Sequence, residues 1–223
     1  TFRRELYADY KGNRSETPEP LREQFALCQE VLANMGICQL MDEHFEADDL
    51  CGSMAKKFES QLPVKILTKD NDYLQLVTDN TTLWLMHSSA EKTQEIFDKY
   101  HMKKEDMAIP DRVFPFNPQL VKEEFGIEPC HVNSLKGLAG DKSDNITGVP
   151  GVGAVSAVKL IKEYGTVEKL YEAIDNLDKA GEKAIKEYWK EKLDLKRSPL
   201  AYLLKESDTE LVGKKAAFLS EKL

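Results

Sequence analysis

Carboxylates gather at three widely separated turns of the chain: Glu46-Ala47-Asp48-Asp49, Thr68-Lys69-Asp70-Asn71-Asp72 and Asp141-Lys142-Ser143-Asp144-Asn145. A fold that unites these turns must bring like charges together, and that constrains it more than any other feature. Two unit charges about 4 Å apart cost roughly 1 kcal/mol in bulk water and about 4 kcal/mol at an effective dielectric near 20. Converging carboxylates therefore need cations. Hard, oxygen-seeking Mg²⁺ or Mn²⁺ is the natural partner.

Apolar periodicity lays helices and strands around these clusters. Leu21, Phe25, Cys28, Val31, Leu32 and Met35 repeat at helical spacing up to Gly36, and a short strand is predicted over 37–40. Ala47, Leu50, Cys51, Met54 and Phe58 define a second amphipathic helix with Glu46, Asp48 and Asp49 in its first turn. Residues 64–68 read as a buried strand ending at Asp70 and Asp72, 82–86 as another strand and 91–101 as a helix. The stretch 102–116, with Pro110 and Pro115, is predicted as a loop; Asn117-Pro118 then has the form of an N-cap with proline at the first helical position, closed by Gly126. Such alternation implies a parallel α/β sheet, whose sites lie beyond the carboxyl ends of the strands, where Asp70 and Asp72 stand. From about Pro129 onward the pattern is all helical, over 132–138, 154–164, 167–177, 179–189 and 199–206. Residues 1–14 show neither helix nor strand periodicity.

The chain has 223 residues, enough for a sizeable core, and a formal net charge of -8. An even spread of that charge would argue against nucleic-acid binding, because phosphate affinity is mostly electrostatic. The spread is uneven. Arg3, Arg4, Lys11 and Arg14 outweigh Glu5 and Asp9 in the first 14 residues, whereas Arg22 stands alone among the acids from Glu16 to Asp49. A basic arm beside an acidic pocket suits a polyanion held by cations and cut at a metal site. No apolar run approaches the roughly 20 residues that cross a bilayer, and the start lacks a signal peptide's apolar core, so a cytoplasmic protein is expected. Cys28, Cys38, Cys51 and Cys130 lack Cys-x-x-Cys spacing and lie among apolar residues, which predicts buried thiols. His44, His87, His101 and His131 share no metal-ligand spacing.

Each motif also has a purely structural explanation. Acids in a first helical turn stabilise it through the helix dipole by about 0.3–1 kcal/mol each. Asp70 can serve as an N-cap, although one cap is needed and two acids are present. Asp141 and Asp144 suit a loop or cap; counted from Asp141, a calcium loop would need Gly at Ile146 and Glu at Val152. Gly148-Val149-Pro150-Gly151-Val152-Gly153 permits a tight hairpin whose backbone N–H groups and following helix N-terminus can cradle a phosphate, with Lys159 and Lys162 placed to supplement it. Contacts of this kind hold a duplex without reading its sequence. In the arm, Tyr7-Ala8-Asp9-Tyr10-Lys11-Gly12-Asn13-Arg14 interleaves aromatics with basic residues, as in nonspecific grips on single strands.

Taken in order, these motifs resemble the 5'-3' exonuclease (flap endonuclease) domain found at the N-terminus of bacterial DNA polymerase I and as standalone bacterial and phage nucleases. The resemblance rests on Tyr10 to Arg14, Glu46 to Asp49, Thr68 to Leu76, and Gly140 to Ile146 running into Gly148 to Gly153. It implies a PIN-like α/β core over 1–128 and a helix-hairpin-helix (H3TH) lobe over 129–223. By resemblance, Glu46, Asp48, Asp49, Asp70, Asp72, Asp141 and Asp144 match carboxylates that hold two Mg²⁺, for which Mn²⁺ substitutes. Lys11 and Arg14 match basic residues at the base of a helical arch that contact the scissile phosphate. Arg3, Tyr7, Tyr10, Gly148, Gly151, Val152, Gly153 and Lys159 are the DNA-contacting candidates, with K⁺ at the hairpin. Lys69, Thr147 and Val155 depart from the usual residues, and 87–116 is longer than usual. The family places one further ligand Asp at the end of a first strand and another just before the position of Thr1, so the resemblance implies an N-terminally truncated gene product without the first strands. The expected protein is a bacterial, cytoplasmic, nucleoid-associated monomer acting on DNA with 5' flaps or 5' ends, beside a polymerase domain on the same or another chain. A DNA-binding remnant without catalysis is the alternative, and the hairpin after Asp144 disfavours a PIN-type ribonuclease.

Overall fold

A computed structural model describes every residue from Thr1 to Leu223. The first elements are α1 (Phe2–Leu6), α2 (Glu19–Asn34), α3 (Ala47–Phe58) and β1 (Val64–Thr68), then a 3-10 helix over Asn71–Leu76. Next come β2 (Thr81–Met86), α4 (Ala90–Lys99), β3 (Val113–Phe116) and α5 (Pro118–Phe125). Beyond a 3-10 turn at Pro129–His131 the chain is helical: α6 (Val132–Ala139), α7 (Ala154–Tyr164), α8 (Val167–Ile174), α9 (Lys179–Lys192), α10 (Leu200–Leu203) and α11 (Gly213–Lys222).

The sheet has the order β1-β2-β3. β1 runs parallel to β2, with Val64 opposite Thr81, whereas β3 is antiparallel, with Phe116 opposite Leu83. The expected all-parallel sheet is therefore mixed, and part of the predicted loop 102–116 is a strand. An edge strand tolerates Pro115 because only one side of it must pair. Burial supplies the drive: Phe114 sits 4.9 Å from Phe97 and 4.8 Å from Phe116, ring centre to ring centre. Along β2, Thr81, Leu83 and Leu85 turn inward while their neighbours are half-exposed, the period-2 signature of a strand. One apolar core continues from this sheet through Leu138, Leu160 and Ile161 to Trp189, whose indole N–H donates to the Tyr164 hydroxyl at 2.8 Å. On the outer flank of β1, Leu40, Leu50, Met54, Phe58, Leu62 and Leu67 line an open apolar groove.

Other departures have local causes. Residues 37–40 form no strand; the Gln39 side chain donates to the Gln29 carbonyl at 2.8 Å and lays this segment back along α2. α2 contributes no buried residue, so Cys28 is exposed, as are Cys38 and Cys130, and Cys51 is half-buried. The expected buried thiols are not found. α1 forms without periodicity, and α11 was invisible because it packs on α6 through small residues: Gly137 faces the Ala217 backbone, with Ala216 and Ser220 also buried. The helices expected over 167–177 and 199–206 end at Ile174 and Leu203.

At the C-terminus of α3, Glu59 accepts from Lys56 at 2.8 Å, Thr78 at 2.7 Å and Thr81 at 3.0 Å, joining the helix to the start of β2. The Lys56 hydrogen bond, followed by those from Thr78 and Thr81, holds its pKa down to about 2 from 4.5. A depressed folded-state pKa stabilises above the unfolded value and loses that contribution as pH falls toward the folded value. Glu59→Gln is thus expected to melt lower than the parent at neutral pH and to lose stability less steeply between pH 4.5 and 2. Melting curves across that range check it; parallel profiles would refute it.

Candidate functional site

The three acidic segments meet, and each has its own local frame. In the first turn of α3, Asp49 accepts the Glu46 backbone N–H at 2.9 Å and Asp48 accepts that of Asp49 at 3.0 Å. Beyond β1, Asp70 accepts the Asp72 N–H at 2.9 Å and caps the 3-10 helix. The third segment is a loop closed by paired bonds between Asp141 and Ile146 at 2.8 and 2.7 Å, inside which Asp141 accepts the Ser143 N–H at 2.8 Å. The capping explanations therefore hold. They occupy some carboxylate oxygens and leave others facing inward.

Those remaining oxygens meet cations supplied by the chain. Arg3 grips Asp49 with two nitrogens at 2.6 and 2.7 Å. Lys11 lies 2.5 Å from Glu46 and 3.6 Å from Asp144, Arg14 lies 2.5 Å from Asp144, and Lys136 bridges Asp141, at 2.7 Å, and Asp72. Asp48 and Asp70 have no such partner. No three His, Cys, Asp or Glu residues approach closely enough to hold one metal ion. The expected single cage of seven carboxylates is thus not drawn together in this arrangement: Lys11 and Lys136 stand between its members, and Arg3 and Arg14 each engage one of them. For Glu46, Asp49, Asp72, Asp141 and Asp144 the electrostatic demand for cations is met from within.

Charge states follow. The Asp49 hydrogen bond raises the Arg3 pKa and the same contact lowers that of Asp49. Burial works against the charges on Lys11 and Glu46, yet their mutual hydrogen bond, the Tyr10 hydroxyl and neighbouring charges together outweigh it and move the two pKa values apart. Burial pushes the Tyr10 hydroxyl up to about 12. Burial opposes ionisation of Asp141, but Lys136 and Ser143 hold it down to about 2. At Asp72 burial wins, helped by neighbouring Asp70, and the carboxyl is raised despite Lys136.

The basic arm is fastened to the third acidic loop. The Lys11 N–H donates to the Asp144 carbonyl at 2.8 Å, Asn145 to the Asp9 carbonyl at 2.7 Å and Asn13 to the Lys142 carbonyl at 3.0 Å. Tyr7 hydroxyl lies 3.4 Å from that of Thr147. Tyr10 is only 2% exposed, so its ring is not free to stack on a base; its hydroxyl donates to Glu46 at 3.1 Å. Between Arg14 and Glu46 the chain leaves the body: residues 15–45, which include α2, contribute nothing buried, and both ends return to the Lys11–Glu46–Asp144 contacts.

The hairpin packs directly under the same loop. Gly148, at φ 63°, sits where a Cβ would fall 2.2 Å from the Gly140 nitrogen, and Gly151, at φ 93°, sits against the Tyr202 ring. Gly153 starts α7 without a side-chain cap, leaving first-turn N–H groups facing outward. Three sequence candidates land elsewhere. Val152 is buried in the core, Lys159 donates to the Asp194 carbonyl at 2.7 Å, and the Lys162 ammonium lies over Gly126. Lys136, absent from the sequence candidates, carried one signal: it is the sole charged residue in the apolar helix α6, with its ammonium sandwiched by acids.

Comparison with known proteins places this arrangement. Residues 1–106 match the 5'-3' exonuclease N-terminal resolvase-like domain, and residues 127–217 match the 5'-3' exonuclease C-terminal SAM fold. The chain is 36% identical over 178 residues to DNA polymerase I of Streptococcus pneumoniae, covering 79% of this chain and 18% of that protein. Against the 5'-3' exonuclease of Mycoplasma pneumoniae it is 35% identical, covering 81% of this chain and 56% of the relative. DNA polymerase I of Geobacillus stearothermophilus is 39% identical over 95% of this chain and 22% of its own length. The chain thus spans about a fifth of the polymerases it matches. In fold it is similar to a bacteriophage T5 protein co-crystallised with metal ions, with TM-score 0.62 and 19% identity over 99% of this chain and 68% of that one. The T5 flap endonuclease, in a complex with DNA and metal ions, gives TM-score 0.58 and 23% identity over 84% of this chain and 66% of that one.

Proposed function

The chain belongs to the 5'-3' exonuclease family, and we propose that it is the nuclease part of a metal-dependent 5'-3' exonuclease and flap endonuclease that cuts DNA in replication and repair. The observation that carries this reading is the linking of three distant acidic segments through Lys11 and Lys136, with a basic arm and a glycine hairpin fastened to one of the same loops. The donor set suits a hard divalent cation: every donor is a carboxylate oxygen, and Asp48 and Asp70 are free of cation partners. Glu46, Asp48, Asp49, Asp70, Asp72, Asp141 and Asp144 would hold two Mg²⁺ or Mn²⁺ ions. When bound, such ions polarise the phosphodiester and activate water for its hydrolysis.

The remaining work falls to the chain's own residues. Lys11 and Arg14, fixed beside Asp144, present positive charge where negative charge grows on the phosphate, a role that preorganised cations fill well. Tyr7, half-exposed on the arm, offers a stacking face. The outward N–H groups at the start of α7, with Gly148, Gly151 and Gly153, receive a duplex phosphate, and the backbone carbonyls there suit K⁺. Residues 1–128 act as the catalytic unit and 129–223 as the duplex-gripping unit. The relatives named DNA polymerase I suggest a polymerase domain as working partner, and a bacterial cytoplasm as the setting. No helix is long and apolar enough to cross a membrane.

A labelled 5'-flap duplex tests this. Cleavage is expected with Mg²⁺ and not with EDTA; duplex binding retained without metal-dependent cleavage would instead support the DNA-binding remnant. Lys11→Ala is expected to lower turnover about a hundredfold while duplex binding changes far less. Comparable losses in both would remove the division of roles between arm and hairpin.

A further inference from the structure

We propose that Lys136 is a positioning residue that serves as an internal counter-ion, holding Asp72 and Asp141 together in the metal-free protein and giving way when a divalent cation enters between them. This deepens the metal-dependent reading above and rests on it. Lys136 rises from α6, and its ammonium contacts Asp72 at the end of the sheet and Asp141 at the start of the third acidic loop, 2.7 Å from the latter. Like Lys11 between Glu46 and Asp144, it joins a carboxylate of residues 1–106 to one of residues 127–217. The three side chains are 23%, 28% and 15% exposed, so their charges are poorly screened. Leaving the two carboxylates unpaired at that depth would be costly.

A divalent ion shared by Asp72 and Asp141 needs Asp141 Oδ2, which Lys136 now contacts while Ser143 occupies Oδ1. Ammonium and metal therefore compete for one place, since two cations cannot share it without mutual repulsion. The geometry lets the lysine withdraw. Its four-carbon stem is flexible, and it lines an open cleft with Arg14, Asp70, Lys142 and Ser143, where water can receive the ammonium. The chain thus carries a cation that keeps the site assembled before metal arrives and holds metal affinity below what the bare carboxylates would give.

Mn²⁺ binding to the protein alone, measured calorimetrically without DNA, tests the idea together with melting in EDTA. Lys136→Gln is expected to bind Mn²⁺ at least about tenfold more tightly and to melt roughly 3–6 °C lower in EDTA. Lys136→Arg, which keeps the charge, should restore the melting temperature and the weaker affinity. A merely structural lysine would lower the melting temperature without tightening Mn²⁺, and that outcome sinks the proposal. Should the glutamine variant fail to fold, the parent decides: a ¹⁵N NMR signal from the Lys136 ammonium, protected by its two ion pairs, is expected in EDTA and is expected to disappear on saturation with Mg²⁺; its persistence overturns the idea. Absence of any Mn²⁺ binding, in parent and variant alike, removes the metal-dependent reading and this proposal together. Equal affinities remove this proposal only.

Discussion

Gly148→Ala is expected to destabilise the protein by at least about 3 kcal/mol and to abolish duplex binding with it. Two penalties combine. The residue lies at φ 63°, which a side chain resists, and the added methyl would stand 2.2 Å from the Gly140 nitrogen and 2.7 Å from the Leu138 carbonyl oxygen. Those neighbours are backbone and cannot step aside. Gly140, at φ 72°, is itself caught against the Ile146 and Thr147 carbonyls, so the hairpin and the third acidic loop are locked by glycine against glycine. Displacement of one moves Asp141 and Asp144. Gly153→Ala is the control, because nothing lies within 4 Å of its added methyl and φ is -83°; weakened capping should limit its cost to about 1 kcal/mol. Chemical denaturation of both variants measures the contrast, and similar midpoints would contradict it.

Asp70→Asn is expected to lower metal-dependent flap cleavage at least about a hundredfold while leaving the melting temperature within about 2 °C of the parent. Asparagine is as good an N-cap as aspartate, so the 2.9 Å bond from the Asp72 N–H survives while the negative charge is lost. Asp70→Ala loses both, and should add about 0.5–2 kcal/mol of instability to the same loss of cleavage. The pair separates two roles that one carboxylate performs. If the asparagine variant cleaves normally and alanine costs only stability, Asp70 is a cap and nothing more.

What could be foreseen from the sequence was local. Asp70 before a turn, Asn117-Pro118 before α5 and glycines at hairpin corners carry their geometry within a few residues, and all three formed as expected. β3 was hidden because Pro115 argues against a strand until its position at a sheet edge is known. α11 was hidden because Ala216, Ala217 and Ser220 give little apolar signal, although close approach to Gly137 needs such small residues. Within the site, the identities of the acids were legible but their partners were not. Lys136 and Asp72 are 64 residues apart, and nothing in the local pattern of either names the other. Likewise the arm read as a free basic segment, whereas Arg3, Lys11 and Arg14 are already engaged with Asp49, Glu46 and Asp144.

The span from residue 15 to residue 45 carries none of the protein's interior, yet both its ends are stapled beside Asp144. Its length near Gly36 is therefore nearly free to drift: closing a loop of twice the size costs only about 0.6 kcal/mol more, and nothing packs within 4 Å of a side chain added there. Natural insertions or an engineered fluorophore near Gly36 are expected to change this span while the carboxylates stay in register. The span can thus evolve, or be redesigned, independently of the acidic turns it rises from.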